Sequence, residues 1–394
     1  MRLAFVVPRY GDDVVGGAET LARGLAEHLP RETYTAEILT TCAKSHFTWE
    51  NYYPERAELY NGLEIRRFRV NVRDISAFID IQRKIEDGIP TTIDEQLLWA
   101  KESVNSDNLY DYIWRNGKDY DYLIFLPYLF GTTFWGSQIF PEKSLLIPCL
   151  HNEVYSKLSI FRITFEKVRG VIFNSEPEGN LARRLFPIED KAMAIVGMGF
   201  DSGPDRGYDP VRFRKKLRIG DDYILYFGRK EGGKNLPLLL DYFCRLKRET
   251  GMGLKLIIAG DGEARIPDDM KNEVIDMGFL SERDKIDAVA GAIFVCQPSV
   301  NESFSIVIME AWLTGVPVLV HGYCDVTKWH VVESGGGLYF RDYYEFAEVT
   351  GYLVRNPGVR EKMGERGRRY VQDRYSWPAV IERFDSALKD FSNA

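Results

Sequence analysis

Glu302 and Glu310 lie in the segment Pro298–Val318, where a strand ending near Gln297 turns into a helix expected from about Ser305 to Thr314. A strand end that feeds a helix start presents unpaired backbone N–H groups, the geometry that holds phosphate. At a rise of about 1.5 Å per residue the two carboxylates are at most about 12 Å apart, roughly the reach from a hexose to the ribose of a nucleotide sugar. Carboxylates suit vicinal sugar hydroxyls, because each accepts charge-assisted hydrogen bonds. A plainer role is open to both: Glu302 as a charge at a helix amino end, Glu310 as a polar-face residue. Arg229 and Lys234 belong to a second segment, Tyr226–Asn235, whose Gly228, Gly232 and Gly233 follow a strand. Two fixed cations can neutralise a departing diphosphate without a metal. The alternative is a solvated basic loop.

Other short segments carry less information. Gly260-Asp261-Gly262 follows an apolar run, but Arg265 stands where a dinucleotide fingerprint needs its third glycine. Gly16-Gly17 joins the first strand to its helix, either letting a backbone approach a ligand or making a tight turn. Asp119-Tyr120-Asp121 spells a metal-binding D-x-D, yet it immediately precedes the run Tyr122–Leu126 and reads as a strand-entry turn, so no metal is expected. Phe47, Trp49, Tyr52 and Tyr53 suit packing more than stacking on a sugar. The basic residues of Phe161–Arg184 are interleaved with Glu166, Glu176 and Glu178, which favours a mixed solvated face over a lipid-binding one.

The elements that must position these residues alternate. Leu3–Pro8, Ala36–Thr41, Leu63–Val70, Tyr122–Leu126, Leu145–Leu150 and Gly170–Asn174 read as strands. So do Tyr223–Gly228, Lys255–Ala259, Ala292–Gln297 and Val316–His321 in a second series. Between them lie stretches of helical period, such as Glu19–Leu29 with Leu21, Leu25 and Leu29. This alternation predicts parallel sheets of right-handed crossover units, and its two series predict two sheets of about nine strands in all. The break is expected near Ser202–Gly220, in a Gly/Pro/Asp stretch followed by the basic run Arg212–Arg218. The predicted domains are 1–203 and 204–375, with a helical insertion at about 72–117 and a closing helix over 376–394 that crosses back to the first domain.

The length of 394 residues favours two or three domains. With 45% apolar and 28% charged residues, fibrous and disordered classes are excluded. The formal charge of −7 lacks the basic surplus of a duplex-DNA binder, so no nucleic-acid partner is expected. No apolar run approaches the roughly 18 residues of a membrane span, and Leu3–Pro8 is too short for a signal-peptide core. Five scattered cysteines give neither a zinc site nor a disulfide framework and suit a reducing cytoplasm.

Taken together, the segments around Gly16, Arg229, Gly260 and Glu302 resemble the family 4 glycosyltransferases, retaining enzymes of the GT-B architecture. The likeness is closest over Tyr223–Val320, where Glu302 and Glu310 match the E-x7-E signature with its Ser303-Phe304-Ser305-Ile306 infill. Arg229 and Lys234 match the family's cation pair, Gly16 and Gly17 its amino-terminal glycine loop, and Gly278-Phe279-Leu280 its base-side loop. The resemblance implies two Rossmann-like doubly wound domains facing a cleft. It implies Glu310 on the ribose and Glu302 on the transferred sugar, with the N–H groups of Phe304 to Ile306 meeting sugar and phosphate. Gly228 and Gly260 would lie beside the donor, and His151 would face donor sugar and acceptor. Ser305 departs from the family, which frequently has glycine there.

The implied activity is hexosyl transfer from a nucleotide diphosphate sugar to a hydroxyl of a glycan or lipid-linked glycan, with retention of configuration. A UDP-sugar is the first expectation, a GDP-sugar the second, with no cofactor. Location would be cytoplasmic, with peripheral contact at the inner face of the plasma membrane open. A sugar-nucleotide epimerase and a non-catalytic sugar-nucleotide scaffold are the alternatives. A nicotinamide-dependent oxidoreductase is disfavoured, because neither glycine loop completes its fingerprint.

Overall fold

The computed structural model describes residues 1–14, 16–201, 207–217, 220–230 and 232–393, with Leu217 described in its backbone alone. The expected domain boundary at 203/204, Arg218 and the loop residue Glu231 therefore lie outside the described residues. Two compact units form, Met1–Gly199 with Trp377–Ala394, and Phe200–Ser376.

The first unit contains β1 (Arg2–Val7), β2 (Thr35–Thr41), β3 (Ala57–Tyr60), β4 (Leu63–Phe68), β5 (Tyr122–Phe125), β6 (Ser144–Leu146), β7 (Gly170–Phe173) and β8 (Ala192–Ile195). They pair in the order β3-β4-β2-β1-β5-β6-β7-β8, and only β3 runs antiparallel to its neighbour. The second unit contains β9 (Asp222–Phe227), β10 (Leu254–Ala259), β11 (Val274–Asp276), β12 (Phe294–Gln297), β13 (Val318–His321) and β14 (Gly337–Phe340). Its six strands are parallel in the order β11-β10-β9-β12-β13-β14. Central strands such as β1, β5, β9 and β12 are almost wholly buried, as parallel strands covered on both faces must be. The α/β class with two Rossmann-like sheets is the one expected.

The strand count is higher than expected: fourteen among the described residues, as sheets of eight and six. The sequence pattern missed β3, β8, β11 and β14. The first is an exposed edge and the third has three residues, so neither carries an apolar run of its own. One predicted strand, Leu145–Leu150, is too long. β6 stops at Leu146 because Pro148 offers no ladder N–H and Cys149 turns to a φ of 50°. Its extension is held sideways, by Ile147 N–H on the Phe125 carbonyl at 2.9 Å and Tyr128 N–H on the Pro148 carbonyl at 3.0 Å. His151 is therefore in a loop five residues past the strand rather than at its end.

Between β4 and β5 lie three helices, Ile75–Glu86, Ile93–Glu102 and Asp107–Asn116. Each begins at a side-chain cap, Asp74, Thr92 and Ser106, and Thr92 with Glu95 completes a capping box. Trp99 is buried there against Phe78, while Trp114 faces solvent.

The final helix, Trp377–Asn393, is part of the first unit. Its leading indole stacks on His28 with ring centroids 4.1 Å apart. The same indole fills the space where a Cβ on Gly24 or Gly199 would stand, 2.0 and 2.2 Å from its atoms. Trp377→Ala empties this contact and is expected to destabilise the first unit by about 3–5 kcal/mol, the usual cost of truncating a buried aromatic. Denaturant unfolding of both proteins checks it.

Candidate functional site

In a parallel sheet every loop after a strand emerges at the same edge. Gly228, Gly260, Gly278 and the turn 298–305 follow β9, β10, β11 and β12 and so share one edge of the second unit. Strand order reverses between β9 and β12, and ligands of open α/β sheets bind at such a switch point. The loops carrying Lys234 and Glu302 flank that point.

Glycine is required where the loops meet. Gly260 has φ 135° and its missing Cβ would lie 1.9 Å from the Gly228 carbonyl oxygen. Gly228 itself has φ 150°, and Gly260 N–H donates to the Gly278 carbonyl at 2.8 Å. The three predicted glycines are thus in contact through their backbones. Lys230 adds a tie that sequence reasoning missed. Its buried amine donates to Asp276 Oδ1 at 2.6 Å and to the Gly262 carbonyl at 3.2 Å, joining the loops after β9 and β10 to the last residue of β11. Arg229, its neighbour, is exposed.

Lys234 and Glu302 meet across the switch point. Lys234 Nζ donates to Glu302 Oε1 at 2.8 Å, and Gln297 Nε2 reaches the same oxygen at 3.3 Å. Asn235, in the left-handed region at φ 59°, starts the helix Leu236–Thr250 and donates to the Pro298 carbonyl at 3.1 Å, a second link between the two loops.

Glu310 sits in the helix Ile306–Leu313, one residue later in its start than the sequence suggested. Its Oε1 accepts from Lys285 Nζ at 2.8 Å, a partner not foreseen. Burial pulls the Lys285 pKa down, but Glu310 and Glu282 outweigh it and leave the amine above its ordinary value. Lys285 lies just past the loop Gly278-Phe279-Leu280, in which Phe279 is 72% exposed. No local spacing distinguishes Lys285 from other helix-surface lysines, so only the folded structure identifies it.

Ser305 explains its own departure from the family pattern. It precedes the helix with φ 75° and ψ 86°, backbone that favours glycine. Its side chain does not cap the helix, and its buried Oγ has no hydrogen-bond partner. The helix amino end is therefore left without a side-chain cap, with a buried hydroxyl beside it. Ser303 and Ile306 are half-buried around this turn. Phe304 points its ring inward, stacked on Phe200 at 6.1 Å and edge-on to His330 and Tyr375 at 5.1 and 5.0 Å, which anchors the turn.

Gly16, Gly17 and His151 lie in the first unit. Gly16 has no room for a Cβ, because Glu19 Oε2 lies 2.0 Å from that point. Arg9 and Glu19 form a buried pair at 2.5 Å beneath it, while the space over Gly17 is open. His151 is half-exposed, with Nδ1 3.9 Å from Glu153 Oε2. Glu178 lies below it, and burial pushes that carboxyl up to about 7 against the pull of two backbone N–H groups and of His151. Asp121 accepts the Arg2 N–H at 2.7 Å, and Asp119 ends a single helical turn. Among the described residues no group of three His, Cys, Asp or Glu is placed to hold a metal ion. None of their helices is long and apolar enough to cross a membrane.

Residues 209–370 match the family model described as glycosyl transferases group 1. Over 99% of this chain and 98% of the relative, the sequence is 22% identical to an uncharacterized glycosyltransferase of Methanocaldococcus jannaschii. A D-inositol 3-phosphate glycosyltransferase of Corynebacterium efficiens is 26% identical over 51% of this chain, which spans about half, 52%, of that relative. Among solved structures, sucrose-phosphate synthase from Thermosynechococcus elongatus superposes with a TM-score of 0.73 at 15% identity, covering 100% of both chains. HepE from Anabaena in complex with UDP-glucose gives 0.70 at 16% identity, over 99% of this chain and 100% of its own. The sequence matches support a group 1 glycosyltransferase activity, and the solved structures share the fold of two parallel-sheet units.

His330, behind Phe304, offers a pH test of the anchor. Burial first, then Arg374, lowers its pKa from 6.5 to about 3, so the ring is neutral in the fold. The unfolded chain takes up a proton below 6.5 that the folded chain refuses until about 3, so stability is lost as pH falls through that window. Thermal melts across it are expected to decline more steeply for the natural protein than for His330→Phe.

Proposed function

We propose that the chain is a retaining family 4 hexosyltransferase that moves a hexosyl group from a nucleoside diphosphate sugar to a hydroxyl of a glycan or lipid-linked glycan. The observation that carries this reading is the pairing of Lys234 with Glu302 at the strand-order reversal, beside an uncapped helix amino end. A diphosphate docked there meets Arg229, Lys234 and the free N–H groups of the helix start, all complementary to the charge that grows as the leaving group departs. These cations fill the place of a divalent ion. Glu302 then holds hydroxyls of the transferred sugar and Glu310, steadied by Lys285, those of the ribose.

In this mechanism the acceptor oxygen attacks from the face the diphosphate leaves, and a leaving phosphate oxygen takes its proton. Configuration is retained without an enzyme nucleophile, and the chain's work is positioning and charge stabilisation. The Gly16-Gly17 loop serves donor binding, and His151 serves the donor sugar and the acceptor. UDP is the first choice of nucleotide, in keeping with the UDP-glucose complex of HepE.

Calorimetry and release of nucleoside diphosphate, measured over a panel of UDP- and GDP-sugars with glycan acceptors, test the reading. Glu310→Ala is expected to weaken donor binding by about 1–3 kcal/mol, the range for hydrogen bonds to a charged group. Lys234→Ala is expected to cut turnover at least tenfold while the melting point moves little. Unchanged affinity and turnover in these variants would remove the pair from the site. Donor altered without acceptor would identify an epimerase, and binding without turnover a scaffold.

A further inference from the structure

Glu178 is 1% exposed, and its two oxygens are committed to backbone on two different segments. Leu150 N–H donates to Oε1 at 2.5 Å and Asn174 N–H to Oε2 at 2.6 Å. The residue also belongs to a local helix-start pattern, with Ser175 as N-cap accepting the Glu178 N–H at 3.3 Å. In an ordinary capping box the third-position glutamate turns back on its own helix start. Here one oxygen does nearly that, while the other reaches across to the chain beyond β6.

The place of that second bond is informative. β6 and β7 last pair at Leu146 and Val171, after which the two chains part. Beyond that pair, one carboxylate ties the chain at Leu150 to the chain at Asn174. Asn174 Nδ2 adds a contact to Cys149 Sγ at 3.7 Å, where the backbone is in the left-handed region. The residue immediately after Leu150 is His151. Just past Leu150, Glu153 N–H donates to the His151 carbonyl at 2.9 Å, and Tyr128 Oη donates to Glu153 Oε1 at 2.9 Å.

We propose that Glu178 is the positioning residue of His151, its carboxylate fixing the Leu150 N–H and so the direction in which the imidazole leaves the sheet. The proposal rests on the reading in which His151 faces the donor sugar and acceptor. A buried carboxylate is a costly way to satisfy two N–H groups, and a fixed backbone is what that cost secures. Displacing a group beside the reacting atoms by about 1 Å can cost about a hundredfold in rate.

Two measurements on the full chain test this. The first needs no substrate: with five histidines, the imidazole resonances of labelled protein can be assigned by His151→Ala. Glu178→Gln, which keeps shape but cannot accept at both atoms, is expected to shift or broaden the His151 signal while leaving His28 and His330 in place. The second is a double-mutant cycle with the donor selected by the panel of UDP- and GDP-sugars. Glu178→Gln alone is expected to lower kcat about 10–100-fold with KM within about twofold, and to lower it less than about twofold further in a His151→Ala background. An unmoved His151 signal, or effects that multiply in the double variant, overturns the positioning role. Loss of all histidine signals in Glu178→Gln shows a merely structural residue and overturns it equally. Unaltered turnover in folded His151→Ala instead overturns the reading of His151 itself.

Discussion

The second unit is organised around an ion pair placed where its strand order reverses. β9 and β12 are neighbours in the sheet but far apart in sequence, so nothing local keeps their loops together. Lys234 and Glu302 do so at 2.8 Å, helped by Asn235 on the Pro298 carbonyl. The pair is largely shielded, with side-chain exposures of 23% and 8%. Such a pair contributes little net stability, because desolvation offsets most of the attraction. Its value is in register: two charged ends are held ready at one place, already stripped of much of their water.

That arrangement depends on backbones that approach closely without side chains between them. Gly260 against Gly228 sets the separation of the loops after β9 and β10, and the Lys230 amine ties both to Asp276 at the end of β11. On the other flank, the turn before the helix Ile306–Leu313 is fixed from behind by Phe304 and from within the helix by Trp312. The Trp312 indole N–H donates to the Gly336 carbonyl at 2.8 Å, and its ring occupies the space a Cβ on Gly367 would need. The polar edge of the sheet is thus held rigid by an apolar layer beneath it, which is how a site on loops acquires the precision of a scaffold.

How much of this was legible in the sequence follows from the range of each interaction. Glu302 and Glu310 share one strand–turn–helix segment, so their spacing alone places them, and the glycines at 228, 260 and 278 mark strand ends by type. β11 and β3 were not legible, since three residues or an exposed edge carry no apolar period. The end of β6 was hidden because an apolar run continues past Pro148 into a loop. Lys285 and Lys230 are determined by contacts across 25 and 46 residues of chain, and no local pattern separates them from solvated lysines. Ser305 was visible as a departure from a family pattern; its positive φ, the reason glycine is usual there, needed the structure.

Both glutamates accept from a lysine at 2.8 Å, and under the proposed reading this bears on how a donor enters. A lone buried carboxylate would have to lose water as ligand arrives, and that cost would weaken binding. A carboxylate already desolvated by a lysine has met that cost during folding. Its remaining acceptor capacity can take sugar hydroxyls, because a carboxylate offers about four lone-pair sites. Lysine likewise has three donors, so Lys234 can keep Glu302 and still turn to a phosphate oxygen. Under the proposed reading, donor binding then needs no exchange of partners, only completion of this network. The same logic separates the two lysines. Under the proposed reading, Lys234 would gain from the charge that grows on a leaving diphosphate, whereas Lys285, beside the loop Gly278-Phe279-Leu280, would meet the same ribose before and after transfer and so contribute to binding rather than to rate.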